Sequence, residues 1–237
     1  MDNIFNNIKQ DKQNYHIISA NEPLNAVTEQ YRKLRTNIDF SNLNKTIKVI
    51  NFTSSFPKEG KTVTTLNLGT VYSQGNKKTL IIDMDLRKPK IHRAFNISNT
   101  KGLTDIVIND TPVKELIFTA TETLHVLPAG EKLPFPAEFL MSDTLKNAME
   151  ELRKVYDKIL IDCPPMTAVT DANIISEYSD ATIVVIASRK SNIDVVKGIV
   201  KDLKDNGANV IGSVLTRVRK RDQRYISGYY NYEEYSE

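Results

Sequence analysis

The stretch Val49-Ile50-Asn51-Phe52-Thr53-Ser54-Ser55-Phe56-Pro57-Lys58-Glu59-Gly60-Lys61-Thr62 decides the fold of this chain. An apolar run of strand length enters a turn of small residues, and a helix-compatible run then continues to Gln74. This order is typical of loops that bind phosphate, because backbone N–H groups and the dipole at a helix N-terminus both attract anions. The stretch therefore predicts a phosphate-binding loop between a strand and a helix.

The residue types of this loop indicate how it would hold a nucleotide. Gly60 lets the backbone approach the phosphates, Lys61 neutralises their charge, and the Thr62 hydroxyl is a ligand for Mg²⁺. Ser55 takes the place of the first glycine in the usual pattern G-x-x-x-x-G-K-[ST]. Because Gly-Lys-Thr alone is common by chance, the rest of the chain has to decide. The expected nucleotide contacts are Ser55, Pro57, Lys58, Glu59, Gly60, Lys61, Thr62 and Val63.

Length and composition limit the classes of protein that this chain can be. Its 237 residues suit one α/β domain, and 40% hydrophobic with 26% charged residues excludes global disorder. The single cysteine, Cys163, excludes a disulfide framework and a cysteine-rich metal site. A net charge of +3 gives no reason to expect nucleic acid as a partner.

Membrane-directing segments are not evident in the sequence. No apolar run approaches the roughly 20 residues that span a bilayer, and the polar N-terminus lacks a signal-peptide core. We expect a cytoplasmic protein whose link to the membrane comes through a partner.

Apolar, β-branched runs alternate with helix-compatible stretches along the chain. Their nearly continuous hydrophobicity is typical of strands that are covered on both faces. The alternation predicts an α/β fold, a single domain with a mostly parallel sheet and with ligands at the carboxyl ends of its strands. We expect a mobile arm over residues 1–22, the domain over 23–216 and a flexible tail over 217–237. Later strands are predicted at 79–82, 124–127, 158–161, 181–186 and 209–215, and helices at 62–74, 137–156, 171–178 and 191–206.

Carboxylates follow two of the predicted strands. Asp83 and Asp85 come directly after one strand, and Asp162 ends another. One such residue is usually a turn or cap, but three at strand ends beside a Lys-Thr loop indicate a site. In phosphate-loop nucleotidases, an apolar strand that ends in Asp positions Mg²⁺. We therefore expect Thr62, Asp85 and Asp162 at the metal.

A predicted helix over residues 24–40, opened by Pro23, carries Glu29, Arg32 and Arg35 at intervals of three. Residues at this spacing are neighbours on a helix surface, so the three side chains form one charged ridge. The spacing alone favours a solvated face. The alternative is a subunit contact in which the arginines bind carboxylates.

The end of the chain combines a basic run with a cluster of tyrosines. The basic run covers residues 217–224, and five of the 10 tyrosines fall in the last 13 residues without a regular period. A flexible tail that stacks on another chain is one interpretation. The basic run fits a solvated surface, a contact with anionic lipid or a partner for phosphotyrosine. The tyrosines are Tyr225, Tyr229, Tyr230, Tyr232 and Tyr235.

Three segments together resemble the Walker A, A′ and B motifs of the bacterial protein-tyrosine kinases. They are residues 55–62, 81–89 and 159–165, and the similarity runs from about residue 22 to the end. More narrowly, the chain is similar to the CapB/CpsD-type cytoplasmic kinases of capsule and exopolysaccharide synthesis. The family normally lacks the first loop glycine, and it implies a phosphate-loop nucleotidase fold of the MinD/ParA kind.

The resemblance implies an ATP- and Mg²⁺-dependent protein-tyrosine kinase that phosphorylates its own tyrosine tail in trans. It also implies that the ridge of Glu29, Arg32 and Arg35 assembles subunits into rings. A membrane polysaccharide co-polymerase would activate the kinase at the inner face of the membrane, and enzymes of sugar-nucleotide metabolism are further candidate substrates.

The catalytic roles follow from the same resemblance. Lys61 would hold the phosphates, Asp85 and Asp162 would orient the waters of the metal, and Asp83 is the candidate to accept the phenol proton. Asp83 and Asp85 share one face of an extended chain, so either could address the metal or a nucleophile. Two positions depart from the family pattern: Phe135 and Thr216 stand where relatives have Asn.

Two other functions share the motifs. A ParA/MinD-type switch, which positions cargo by hydrolysing ATP, has the same Asp-bearing strands, but it carries Lys at the position of Phe56 and lacks a tyrosine cluster. The second is a nucleotide-binding scaffold of the polysaccharide machinery without kinase activity. Formation of phosphotyrosine distinguishes the kinase from both.

Overall fold

The computed structural model of the chain describes residues 17–41, 46–168, 170–219 and 222. Within them the backbone forms one seven-stranded sheet. Its strands are β1 (Val49–Ser54), β2 (Thr79–Asp83), β3 (Phe118–Thr119), β4 (Leu124–Leu127), β5 (Lys158–Asp162), β6 (Ala181–Ala187) and β7 (Val210–Thr216). The strand order is β3-β4-β2-β5-β1-β6-β7, and every neighbouring pair is parallel except β3 with β4.

Helices cover both faces of this sheet. They are α1 (Ile18–Asn21), α2 (Ala26–Phe40), α3 (Lys61–Gln74), α4 (Ile91–Ala94), α5 (Asp105–Ile108), α6 (Pro136–Leu140), α7 (Asp143–Val155), α8 (Asp171–Ser176) and α9 (Ile193–Asp205), with a 3₁₀ turn at Val113–Leu116. Apolar side chains of α1 to α4 pack on one face, and those of α5 to α9 pack on the other.

The central strands are apolar at successive positions because both of their faces are buried. In β1, Ile50 and Phe52 point toward α2 and α3, whereas Val49 points toward the opposite layer. This packing explains the continuous hydrophobicity of the strand sequences. The predicted α/β domain, with a mostly parallel sheet between two layers of helices, is confirmed for the described residues.

Two differences from the predicted helix boundaries are explained by side-chain caps, and the other predicted helix ends differ by at most two residues. The helix predicted from residue 24 begins at Ala26, because the Asn25 side chain accepts the N–H of Val27. The helix predicted over 137–156 is divided into α6 and α7. Ser142 caps α7 by accepting the N–H of Leu145 at 3.2 Å.

The inner end of the predicted mobile arm is part of the folded domain. Ile17 is fully buried in the core formed with α3 and α4, and the N–H of Ser19 donates to the Asn67 side chain at 2.9 Å. The prediction of a mobile arm over residues 1–22 is therefore wrong for residues 17–22, because the Ile17 side chain of this segment is buried in the core. Residues 1–16 lie outside the described residues.

The tail begins at the end of β7. Thr216 is the last residue of that strand. Of the predicted tail over residues 217–237, the structure describes 217–219 and Asp222, and the other residues lie outside the described ranges. The division of the chain into arm, domain and tail otherwise stays a prediction. None of the helices in the described ranges is long and apolar enough to cross a membrane.

The topology gathers the predicted site at one edge of the sheet. β1 lies between β5 and β6, and β5 also pairs with β2. In that second pairing Asp83 is directly opposite Asp162. The ends of β2 and β5 therefore meet beside the loop that follows β1.

Candidate functional site

Gly60 sets the shape of the loop between β1 and α3. It precedes the first helical residue with φ +106°, a conformation that residues with side chains rarely adopt. A Cβ at this position would also lie 3.1 Å from the Thr216 side chain. Backbone conformation thus favours glycine here, and the close approach of β7 leaves little room for a side chain.

Lys61 and Asp85 form a buried pair at the mouth of this loop. The Lys61 Nζ lies 3.9 Å from the Asp85 carboxylate, and both side chains are almost fully buried. Because this separation is longer than a direct hydrogen bond, the Lys61 ammonium can bind a phosphate while it stays near the Asp85 carboxylate. The structure therefore brings these two predicted residues together.

Thr62 and Asp162 form the second contact of the site. The Thr62 hydroxyl donates to Asp162 Oδ2 at 2.7 Å. Burial raises the pKa of the Asp162 carboxyl, while the Lys61 charge and the Thr62 hydrogen bond oppose that rise.

Asp162 Oδ1 is buried and has no hydrogen-bond partner among the described residues. A buried carboxylate oxygen without a partner beside a hydroxyl fits a hard cation such as Mg²⁺. The described ranges contain no group of three or more His, Cys, Asp and Glu that could hold a metal. Mg²⁺ is usually held by one or two carboxylates together with the phosphates of the nucleotide.

Asp83 is fully buried and holds the segment that follows β2. Its Oδ2 accepts the backbone N–H groups of Lys90 and Ile91 at 2.7 and 2.8 Å, and Oδ1 accepts that of Asp85 at 3.2 Å. Burial first, and the nearby charge of Asp162 second, raise the pKa of this carboxyl well above its usual range. Asp83 thus combines a positioning contact with an unusually basic carboxylate.

The side chain of Glu59 supports the loop from inside. It is buried, accepts the N–H of Phe56 at 2.9 Å and contacts the hydroxyl of Ser191. Among the other expected nucleotide contacts, Ser55 is buried with an unpartnered hydroxyl, Pro57 and Lys58 are exposed, and Val63 is half-buried.

Several residues of the site were missed from the sequence. Arg87 makes a bidentate ion pair with buried Asp171 at 2.9 and 3.1 Å, which ties the segment after β2 to α8. Ser191 and Thr216 bond to Glu59 across sequence separations of more than 130 residues. No local pattern marks such pairs, although Arg87 lies inside the 81–89 motif.

The two arginines of the ridge on α2 make different kinds of contact. Arg32 pairs with Glu29 at 3.0 Å and donates to the Pro23 carbonyl, with its side chain about one-third exposed. Arg35 turns inward and donates to the Val71 carbonyl in the last turn of α3 at 3.2 Å. The role of the ridge in assembly stays a prediction.

Two further predictions concern Phe135 and the tyrosines of the tail. Phe135 precedes α6 and is 68% exposed. The five tail tyrosines, Tyr225, Tyr229, Tyr230, Tyr232 and Tyr235, lie outside the described residues.

Comparisons with known proteins place this geometry in a family. A family model described as an AAA domain matches residues 44–210. Tyrosine-protein kinase YwqD of Bacillus subtilis is 35% identical over 216 residues, which cover 91% of each protein. The putative tyrosine-protein kinase CapB of Staphylococcus aureus is 37% identical over 83% of this chain and 87% of CapB.

Solved structures agree with these relatives. The chimerical protein CapA2B2 has a TM-score of 0.82 at 34% identity, with 86% of this chain and 90% of that chain covered. The kinase domain of Escherichia coli tyrosine kinase ETK has a TM-score of 0.81 at 26% identity, covering 90% and 85%. MinD of Pyrococcus horikoshii, complexed with Mg-ADP, has a TM-score of 0.62 at 24% identity over 74% and 73%, which shows the fold alone. The predicted MinD/ParA-like phosphate-loop architecture is confirmed.

Replacing Asp162 with Asn should abolish the effect of Mg²⁺ on ADP binding without lowering Tm. Asn keeps an oxygen for the Thr62 hydroxyl but removes the charge that a divalent cation needs. A carboxyl whose pKa is raised by folding binds its proton more tightly in the folded chain, so its ionised form costs stability at neutral pH. Calorimetric titration with Mg-ADP, and with ADP plus EDTA, measures the effect.

For this experiment the matched control is Asp205→Asn, at an exposed position at the end of α9. We expect Mg²⁺ to tighten ADP binding about 10-fold or more in the wild type and the control, and less than about twofold in Asp162→Asn. An unchanged response to Mg²⁺ in Asp162→Asn would exclude Asp162 from the metal site.

Proposed function

The chain belongs to the family of bacterial tyrosine-protein kinases, and from this membership we propose that it transfers the γ-phosphoryl group of ATP to tyrosines of its own tail. Membership also confirms the predicted enzyme class, a protein-tyrosine kinase. Relatives include a putative kinase of a Klebsiella pneumoniae cps region, so the family context is capsule polysaccharide. We infer that this chain regulates the synthesis and export of such a polymer.

One observation carries the ATP-dependent chemistry. Lys61 and Thr62 at the start of α3 contact Asp85 and Asp162, which come from the ends of two neighbouring strands. Phosphoryl transfer needs mainly positioning and charge stabilisation, and this set of side chains supplies both in a buried setting.

Each residue of the site has a different role in the proposed reaction. Lys61 and the loop N–H groups hold the phosphates, so that the bond between the γ-phosphorus and the bridging oxygen can break as the tyrosine oxygen attacks. Asp83 is the candidate acceptor of the phenol proton, and its raised pKa suits that task. Mg²⁺, held by Thr62, Asp85 and Asp162, would neutralise the charge that develops on the phosphate oxygens.

The place where the tail begins supports its role as the acceptor. β7 ends beside Gly60, and Arg217 contacts the loop directly. The residues from Tyr225 onward therefore follow a segment that starts at the nucleotide site itself. Each phosphate would add about −1.5 to −2 charges to this tail.

Replacing Lys61 with Met should abolish phosphotyrosine formation, because the phosphate charge loses its buried counter-ion. We expect a loss of about 100-fold or more. The assay incubates the chain with Mg-ATP and a cytoplasmic fragment of the membrane co-polymerase, and detects phosphotyrosine by blotting. Lys77→Met, at an exposed position at the other end of α3, is the control and should remain active.

The same assay tests transfer in trans. A chain with its five tail tyrosines replaced by Phe should phosphorylate the Lys61→Met chain when the two are mixed. No phosphotyrosine in the wild type, or an amount that Lys61→Met leaves unchanged, would refute the kinase proposal. Steady ATP hydrolysis stimulated by DNA or lipid, without phosphotyrosine, would instead indicate a ParA/MinD-type switch.

Asp83→Asn separates proton acceptance from positioning. Asn keeps an oxygen that can accept the N–H groups of Lys90 and Ile91, loses the longer contact with the Asp85 N–H, and cannot take a proton at neutral pH. We expect Tm to stay within a few degrees while kcat falls about 100-fold or more. Retained kcat in this variant would leave Asp83 with the positioning role only.

We further propose that α2 assembles the subunits into a ring, with Glu29 and Arg32 on the contact face. Both are accessible, and their mutual surface pair contributes little to the stability of the monomer. Arg35 is expected to act indirectly, since it bonds within its own subunit.

Charge reversal in Arg32→Glu should prevent assembly and leave Tm unchanged, because it places like charges in a contact that Glu29 shares. Lys33→Glu, exposed on the same helix, is the control. Sedimentation velocity with Mg-ADP measures the assembly state. A monomeric wild type, or an Arg32→Glu variant that still assembles, would contradict this proposal.

Partners and location complete the proposal. We propose that a membrane polysaccharide co-polymerase recruits this cytoplasmic kinase to the inner face of the membrane and activates it. Enzymes of sugar-nucleotide metabolism are proposed as further substrates. The CapB relative and the CapA2B2 chimera support such an arrangement by family alone.

A further inference from the structure

The root of the tail is bonded to the backbone of the phosphate loop. The Arg217 guanidinium donates to the Lys58 carbonyl at 2.7 Å, and the Thr216 hydroxyl donates to the Glu59 carbonyl at 2.6 Å. Two successive loop carbonyls are thus held by two successive residues at the end of β7.

These bonds orient the loop N–H groups. A trans peptide unit is planar, and its N–H points opposite to its C=O. Holding the Lys58 and Glu59 carbonyls toward β7 therefore directs the N–H groups of Glu59 and Gly60 away from β7. Successive N–H groups that share one direction form the concave donor set that binds phosphate.

The backbone around this contact is held in uncommon conformations. Lys58 has φ +66° and Arg217 has φ +57°, although both carry side chains. Such residues cost free energy and persist where surrounding contacts fix them. The hydrogen bond from Arg217 to the Lys58 carbonyl joins the two strained positions to each other.

We propose that Arg217 is a positioning residue for the phosphate loop, acting with Thr216, and that it couples nucleotide binding to the root of the tyrosine tail. This inference rests on the proposed use of ATP. The guanidinium supplies a charge-assisted hydrogen bond that orients the peptide unit between Lys58 and Glu59, and the Thr216 hydroxyl orients the next one. By linkage, a bound nucleotide steadies the tail root to the same extent that the tail root steadies the nucleotide.

Two arginines of the basic run, Arg217 and Arg219, lie within the described residues, and they differ in their contacts. Arg219 carries the same charge and is exposed, but among the described residues no hydrogen bond or ion pair joins its side chain to the loop. A general attraction of these side chains for phosphate would involve both arginines. We therefore assign the proposed role to Arg217 and use Arg219 as the matched control.

The experiment measures binding of a fluorescent ADP analogue to the full chain with Mg²⁺. We expect Arg217→Ala to weaken binding about 3- to 10-fold, the effect of losing one hydrogen bond. Arg217→Lys should restore part of the affinity, since an ammonium can reach one carbonyl, and Arg219→Ala should bind as the wild type does. In kinase assays the loss in kcat/KM should lie mainly in KM for ATP.

Arg217→Gly separates the side chain from backbone strain. Glycine relieves the positive φ, so equal weakening in Arg217→Gly and Arg217→Ala supports the guanidinium contact. Weakening in Ala but not in Gly would assign the effect to strain and overturn the inference. Thr216→Val should weaken binding as well, while Thr216→Ser should not.

The remaining outcomes are distinguishable. Wild-type affinity in Arg217→Ala, or equal weakening in Arg219→Ala, would overturn this inference and leave the proposed kinase intact. A wild-type chain that binds no nucleotide would overturn the proposed function itself. Amide exchange of residues 216–219 should slow when ADP is bound, and an unchanged rate would refute the coupling.

Discussion

The pairing of β2 with β5 is the constraint on which the site depends. Their register places Asp83 opposite Asp162, and β5 in turn lies beside β1. A slip of one residue would turn every side chain of a strand to the other face and separate the carboxylates from Lys61. Because side chains on both faces of these strands are buried and closely packed, such a slip would disturb the packing of both helix layers.

The same register brings several carboxylates close together in the protein interior. Asp83, Asp85 and Asp162 lie close enough to interact, and the buried ammonium of Lys61 lies beside Asp85 and Asp162. Burial raises the pKa of Asp83 and Asp162, which is the physical sign that their ionised forms lack compensation. A buried cluster of carboxylates of this kind fits a ligand that brings cations with it.

Sequence patterns predicted the sheet, the loop and the three carboxylates because each has a local signature. Strand periodicity and the Gly-Lys-Thr segment act over short distances along the chain. The patterns did not predict the contacts of Arg87 with Asp171, or of Thr216 with Glu59, since those pairs meet only after the sheet has formed. Two predicted helix boundaries were also wrong, because the side-chain caps at Asn25 and Ser142, and not the hydrophobic pattern, determine where α2 and α7 begin.

The fixation of α3 has a mechanical consequence. Beyond its contacts at Thr62, its far end is held by Arg35 on Val71 and by a hydrogen bond of 3.0 Å from Tyr72 to Asp39. A helix anchored at both ends within a close-packed core resists displacement when a nucleotide arrives. α3 is therefore a fixed frame for the irregular segments after β1 and β2, which are held in turn by their own hydrogen bonds.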